Sequence, residues 1–98
     1  MKIKISKEAN EDIEKIWLYT FENWSLEQAD RYYNLIMDEI EFIAENFNSG
    51  KSMNHIRKGY RSTKVKSHII FFKKSMFGEI EIIRILHQRM DIESRLKD

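Results

Sequence analysis

Cysteine is absent from this 98-residue chain, which rules out disulfides, thiolate catalysis and any zinc site built on thiolates. Proline is absent too, and glycine is confined to Gly50, Gly59 and Gly78. Those three positions are therefore the natural places for boundaries between elements. No run approaches the roughly 20 apolar residues needed to span a bilayer. The start, Met1-Lys-Ile-Lys-Ile, has no long apolar run behind it, so no signal peptide is expected and the expected location is cytoplasmic. Three scattered histidines without a His-x-x-x-His pair give no expectation of a metal site, and no cofactor motif is present. Nor is there a phosphate-cradling glycine loop, a Ser/His/Asp arrangement or a spaced pair of carboxylates.

What is present is charge sorted along the length. Residues 1–50 carry five Lys/Arg and eleven Asp/Glu, a net of −6, whereas residues 51–98 carry twelve and five, a net of +7. The near-neutral total of +1 conceals an acidic half joined to a basic half. A field of one sign over part of a small domain concentrates partners of the opposite sign. The basic half alternates apolar residues with Arg and His, as strands do. It is expected to lay its arginines against one face of a rigid sheet, facing an anionic partner. Hydrophobic content of 42% with 12% aromatics is that of a globular chain, and the length allows one domain spanning residues 1–98.

Periodicity orders the elements. Lys2 to Ser6 alternates as a short strand. Ser6 then caps a helix whose first turn holds Glu8, Glu11 and Asp12, favourable charges at the positive helix end. Its stripe is Ala9, Ile13, Ile16, Trp17, Thr20 and Trp24. Ser25-Leu-Glu-Gln28 has the form of a capping box and opens a second helix. Ala29, Tyr32, Tyr33, Ile36, Ile40, Ile43, Ala44 and Phe47 form its stripe, and the aromatics of both helices are read as packing. Residues 51–58 are read as a polar loop, 59–66 as a weak strand, His68–Lys73 as a central strand and Glu79–His87 as the strongest strand. Ser75-Met-Phe-Gly78 is the intervening turn, and Met90–Leu96 can form one or two helical turns. The order β-α-α-β-β-β predicts an α+β two-layer sandwich, a helical hairpin packed on an antiparallel sheet. The second sheet face is expected to lack helical cover. In a regular last strand, Arg84 and His87 would point to opposite faces.

The candidate chemistry lies in Arg57, Lys58, Arg61, Lys64, Lys66, Lys73, Lys74, Arg84 and Arg89, interleaved with Tyr60, Phe71 and Phe72. Arginines beside aromatics suit forked contacts to carboxylate or phosphate, although the same pattern also serves a solvated sheet face. His87 beside Arg84 would suit proton transfer in phosphodiester cleavage; equally, a strand-end histidine can simply fix the turn that follows. His68 reads as structural, and His55 carries little signal.

Five segments stand in register: Glu11-Asp-Ile-x-x-Ile-Trp-x-Tyr-Thr20; Trp24-Ser-x-x-Gln-Ala29-x-x-Tyr-Tyr33; Arg57-x-Gly-Tyr-Arg61; His68-Ile-Ile-Phe-Phe72; and Ile82-Ile-Arg-Ile-Leu-His-x-x-Met-Asp91. Together they resemble the ParE toxins of type II toxin–antitoxin systems, in the RelE/ParE superfamily. The resemblance implies the β-α-α-β-β-β fold, inhibition of DNA gyrase, and neutralisation by a ParD-like antitoxin with an acidic tail, often as a heterotetramer. It implies an interaction toxin with no catalytic residue. Arg57, Tyr60, Arg61, Arg84, His87 and Arg89 are the matched positions expected to bind partners, with Asp91 to Lys97 beside them. The alternative is a RelE-like ribosome-dependent mRNA endoribonuclease that uses Arg61, Arg84 and His87. The chain lacks a tyrosine after the last strand, which departs from that branch.

Overall fold

A computed structural model describes residues 2–96. The chain runs β1 (Ile3–Ile5), α1 (Lys7–Asn23), α2 (Leu26–Glu45), a 3₁₀ turn (Phe47–Ser49), β2 (Lys51–Ser52), β3 (Arg61–Val65), β4 (His68–Lys74), β5 (Ile80–His87) and α3 (Ile92–Leu96). Both helices start where the sequence places a serine. The Ser6 hydroxyl accepts the Ala9 N–H at 3.0 Å, and that of Ser25 accepts the Gln28 N–H at 3.0 Å. Each bond satisfies an amide that a helix start leaves without an intrahelical partner.

The sheet order is β1-β5-β4-β3-β2. The β2–β3, β3–β4 and β4–β5 pairs are antiparallel, but β1 joins β5 in parallel, Ile3 opposite Ile80. The sheet is therefore mixed rather than wholly antiparallel. The helical hairpin lies between β1 and the meander in sequence, and crossing over it returns the chain with β1 and β5 running the same way. The polar segment 51–58 also contributes an edge strand, β2, two residues long.

The α1–α2 hairpin covers one face. Ala9, Ile13, Ile36, Ile40 and Ile43 pack there on Val65, Ile70, Phe72, Ile80, Ile82 and Ile85. The opposite face is not left open as the sequence reading expects. Phe71 and Leu86 are buried beneath Met53 and Tyr60 from the 53–60 loop and Leu96 from α3, with Ile56 and Ile92 alongside. Ile92 and Leu96 stand one helical turn apart in α3, within the stretch Met90–Leu96 read as helical, whereas Met53, Ile56 and Tyr60 cover the sheet from a loop.

Strand β5 is not regular. Phe72 opposes Ile82, whereas Phe71 opposes Arg84, so one extra residue is inserted. Such a bulge resets side-chain parity. Ile80, Ile82 and Ile85 consequently all face the helices, while Ile83 and Leu86 belong to the other face.

Candidate partner-binding surface

The bulge is braced by α1. Asp12 Oδ2 accepts Arg84 Nε at 2.8 Å and the Ile85 amide at 3.0 Å, and Oδ1 accepts Arg84 Nη2 at 3.0 Å. Asp12 is only 8% exposed. Ser6 completes the brace, its hydroxyl donating to Ile83 O at 2.8 Å and its amide to Ile82 O at 3.0 Å. The bidentate bond to Asp12 raises the Arg84 pKa further above its usual value. Arg84, read from sequence as a recognition residue, is thus held within the fold by an ion pair. Asp12, read as a helix-end charge, is its buried partner. Position 12 lies inside the stripe of Ala9, Ile13 and Ile16, and that is the signal the sequence offered.

Arg61 occupies a corner on the helix side. Its Nη1 donates to Gly50 O at 2.6 Å, and its guanidinium lies 5.3 Å from the Phe47 ring centroid. Lys74 Nζ lies 4.7 Å from the same ring. Phe47 in turn meets Phe72 edge-on at 5.6 Å. Glycine is required at position 50, since a Cβ there would stand 2.5 Å from the Phe72 ring.

On the opposite face Tyr60 is buried, with Arg57 at 5.6 Å and Lys73 Nζ at 5.7 Å from its ring. Arg57 Nη1 also donates to Leu96 O at 2.8 Å, so it fastens α3 over the sheet. Because Arg61 pairs with Phe72, residues 60–61 and 72–74 share one end of β3 and β4. Four cations therefore surround two aromatic rings at that end, divided between the two faces. This corrects the expectation of arginines on one face: the charge gathers at an end of the sheet.

His87 and Arg89 lie elsewhere, at the far end of β5. His87 opposes His68, their ring centroids 5.2 Å apart, and His87 Nδ1 accepts the exposed Arg89 amide at 3.1 Å. Along β4, the rows of Phe72 and His68 are four residues apart, roughly 13 Å. Arg61 and His87 therefore do not converge, and Arg84 is closed on Asp12. Burial, with a smaller contribution from charge on His87, lowers the His68 pKa to about 4.

Lys73 and Lys74, named in the basic set, complete the aromatic–cation corners, and Phe47, read as part of the α2 stripe, supplies one of the rings. At the helical hairpin, Trp24 is 74% exposed rather than packed. Trp17 stacks on Phe21 at 5.3 Å and donates its Nε1–H to Asp30. It lines an open cleft of about 310 Å³ with Ile13, Glu14, Asp30 and Tyr33. Among the described residues no cluster of three or more His, Asp or Glu side chains is placed to hold a metal, and no helix is long and apolar enough to cross a membrane.

The fold class is thus a two-layer α+β domain, two helices on a five-stranded mixed sheet, with cations clustered at one sheet end. A family model described as the ParE toxin of type II toxin–antitoxin systems, parDE, matches residues 3–92. Curated relatives named Toxin ParE1 are 35% identical over 92 residues in Mycobacterium tuberculosis, covering 94% of each chain, and 36% identical over 93 residues in Caulobacter vibrioides, covering 95% of each. A solved structure described as a chromosomal ParDE TA system from P. aeruginosa superposes with a TM-score of 0.78 at 20% identity, covering 89% of this chain and 95% of that one. The chain belongs to the ParE toxin family of type II toxin–antitoxin systems.

Proposed function

We propose that this chain arrests growth by inhibiting DNA gyrase in the cytoplasm, and that a cognate ParD-like antitoxin holds it inactive. The observation that carries the reading is collinearity: the family match and the ParE1 relatives span nearly the whole chain, including every element that shapes the sheet. An interaction mechanism also accords with the geometry, since Arg61, Arg84 and His87 do not gather around a common point. That separation weighs against the ribonuclease alternative, which needs acid, base and charge-stabilising groups within reach of one phosphate.

The antitoxin surface we infer is the cationic end of β3 and β4. An acidic, flexible tail crossing it would meet Arg61 and Lys74 on one face and Arg57 and Lys73 on the other. Tyr60 belongs to that end, between Arg57 and Lys73, whereas His87 and Arg89 would form a separate contact at the far end of β5. Charge of this kind sets association rate and specificity, and it is screened by salt.

The decisive experiment adds purified protein to a gyrase supercoiling reaction. Inhibition or trapped cleaved DNA, relieved by antitoxin, supports the reading. A folded, growth-arresting protein that leaves gyrase untouched and instead cuts mRNA within translated frames would reverse it. The mass of the co-purified complex tests assembly as a heterotetramer.

A further inference from the structure

His68 and His87 lie 19 residues apart in sequence, yet β4 and β5 place them directly opposite each other. The adjoining pair carries the ladder bond, Gln88 N–H to Ser67 O at 2.9 Å. The two histidines therefore occupy a non-hydrogen-bonded position, where facing side chains approach most closely. Both rings are partly exposed, their centroids 5.2 Å apart and their planes at 82°. Two imidazoles on one tetrahedral Zn²⁺, each at a Zn–N distance of about 2.0–2.1 Å, would hold their centroids about 5.2 Å apart. The register of the two strands brings the rings to that spacing, edge to face.

The hydrogen bonds favour ligation as well. Tyr32 donates its hydroxyl proton to Val65 O at 3.1 Å. In the tautomer that keeps Tyr32 donating to Val65 O, the proton in the 2.6 Å contact between Tyr32 Oη and His68 Nδ1 belongs to His68. That leaves the lone pair of His68 on Nε2, with the ring oriented by Tyr32 in the way partner groups orient metal-binding histidines. A lowered pKa keeps His68 neutral at physiological pH. His87 offers its lone pair to the Arg89 amide at 3.1 Å, in the exposed turn after β5, a contact that a cation can displace.

We propose that His68 and His87 form a cross-strand site for a borderline divalent transition metal such as Zn²⁺ or Cu²⁺, with water in the open positions. Imidazole donors select these ions over Mg²⁺ or Ca²⁺. Bound metal would pin the ends of β4 and β5 that lead into α3. The site is independent of the gyrase reading.

The test is titration of the tag-free full-length chain at pH 7.5 with Co²⁺ as optical probe, followed by Zn²⁺ competition. One equivalent should develop the visible band of tetrahedral cobalt and lose it to Zn²⁺. Partners that merely orient a ligand are worth about ten- to a hundredfold in affinity, so His87→Gln and His68→Gln should each weaken binding by more than about tenfold. His55→Gln, in the loop, should leave it unchanged. In the unmodified protein, Zn²⁺ should shift the imidazole NMR signals of His68 and His87 and leave that of His55 in place. No cobalt band at millimolar metal, binding that survives His87→Gln, or shifts confined to His55 would overturn the site.

Discussion

Both faces of the sheet hold fully buried side chains, but the two are differently covered. On the helix side, Ile70, Phe72, Ile80 and Ile82 are fully buried under a 17-residue and a 20-residue helix. On the other, Phe71 and Leu86 are as well buried, yet their cover is an irregular loop and a five-residue helix. A helix that short has little stability of its own and depends on its contacts. The difference separates permanence from burial: one cover belongs to the core, whereas the other is a lid fastened by Arg57 and Leu96.

Four perturbations bear on that contrast. Phe72→Ala should be the most damaging, destabilising the fold by about 3–5 kcal/mol in urea unfolding, because the helices cannot collapse into the void. Asp12→Ala should follow at roughly 2–3 kcal/mol, since it strands the Ile85 amide and a part-buried guanidinium; adding Arg84→Met should recover part of the loss. Leu96→Ala on the lid should cost only about 1–2 kcal/mol, below the usual range for a buried leucine because α3 can relax or detach. Hydrogen exchange at Phe71 and Leu86 should then rise while exchange at Ile70 stays slow. If Leu96→Ala matches Phe72→Ala, the lid is core and the contrast fails.

Acid is the fourth and acts on the helix side. Unfolding returns His68 from about 4 to its ordinary 6.5, so between those values the unfolded chain binds the extra proton. Stability is then full above about pH 6.5 and declines as the pH falls toward 4, by roughly 1–2 kcal/mol once solvent screening of a partly exposed ring is allowed for. His68→Gln should flatten that part of the stability curve. An unchanged slope would remove His68 as its source.

Much of this architecture was legible in the chain. Ser6 and Ser25 mark the helix starts, and the stripe through Ile36, Ile40 and Ile43 is the buried seam of α2. The continuous apolar run of β4 does identify the central strand. The parallel placement of β1 was not legible, because alternation is the same whichever way a strand is paired. Parity in β5 was misleading beyond Ile83, since a bulge carries no residue signature there. The cation cluster was visible as composition but not as position. Only the register of Arg61 on Phe72, and the return of Phe47 beneath Arg61 and Lys74, turns scattered charges into a corner.

The pairing of Ile3 with Ile80 has a temporal side. Strand β1 is synthesised well before its hydrogen-bonding neighbour β5, with both helices and three strands between them. Until β5 has emerged, β1 has no strand to pair with and Ser6 cannot reach Ile83, so a growing polypeptide cannot close the sheet. The sheet of this toxin-family chain is thereby kept incomplete until its fifth strand has been made.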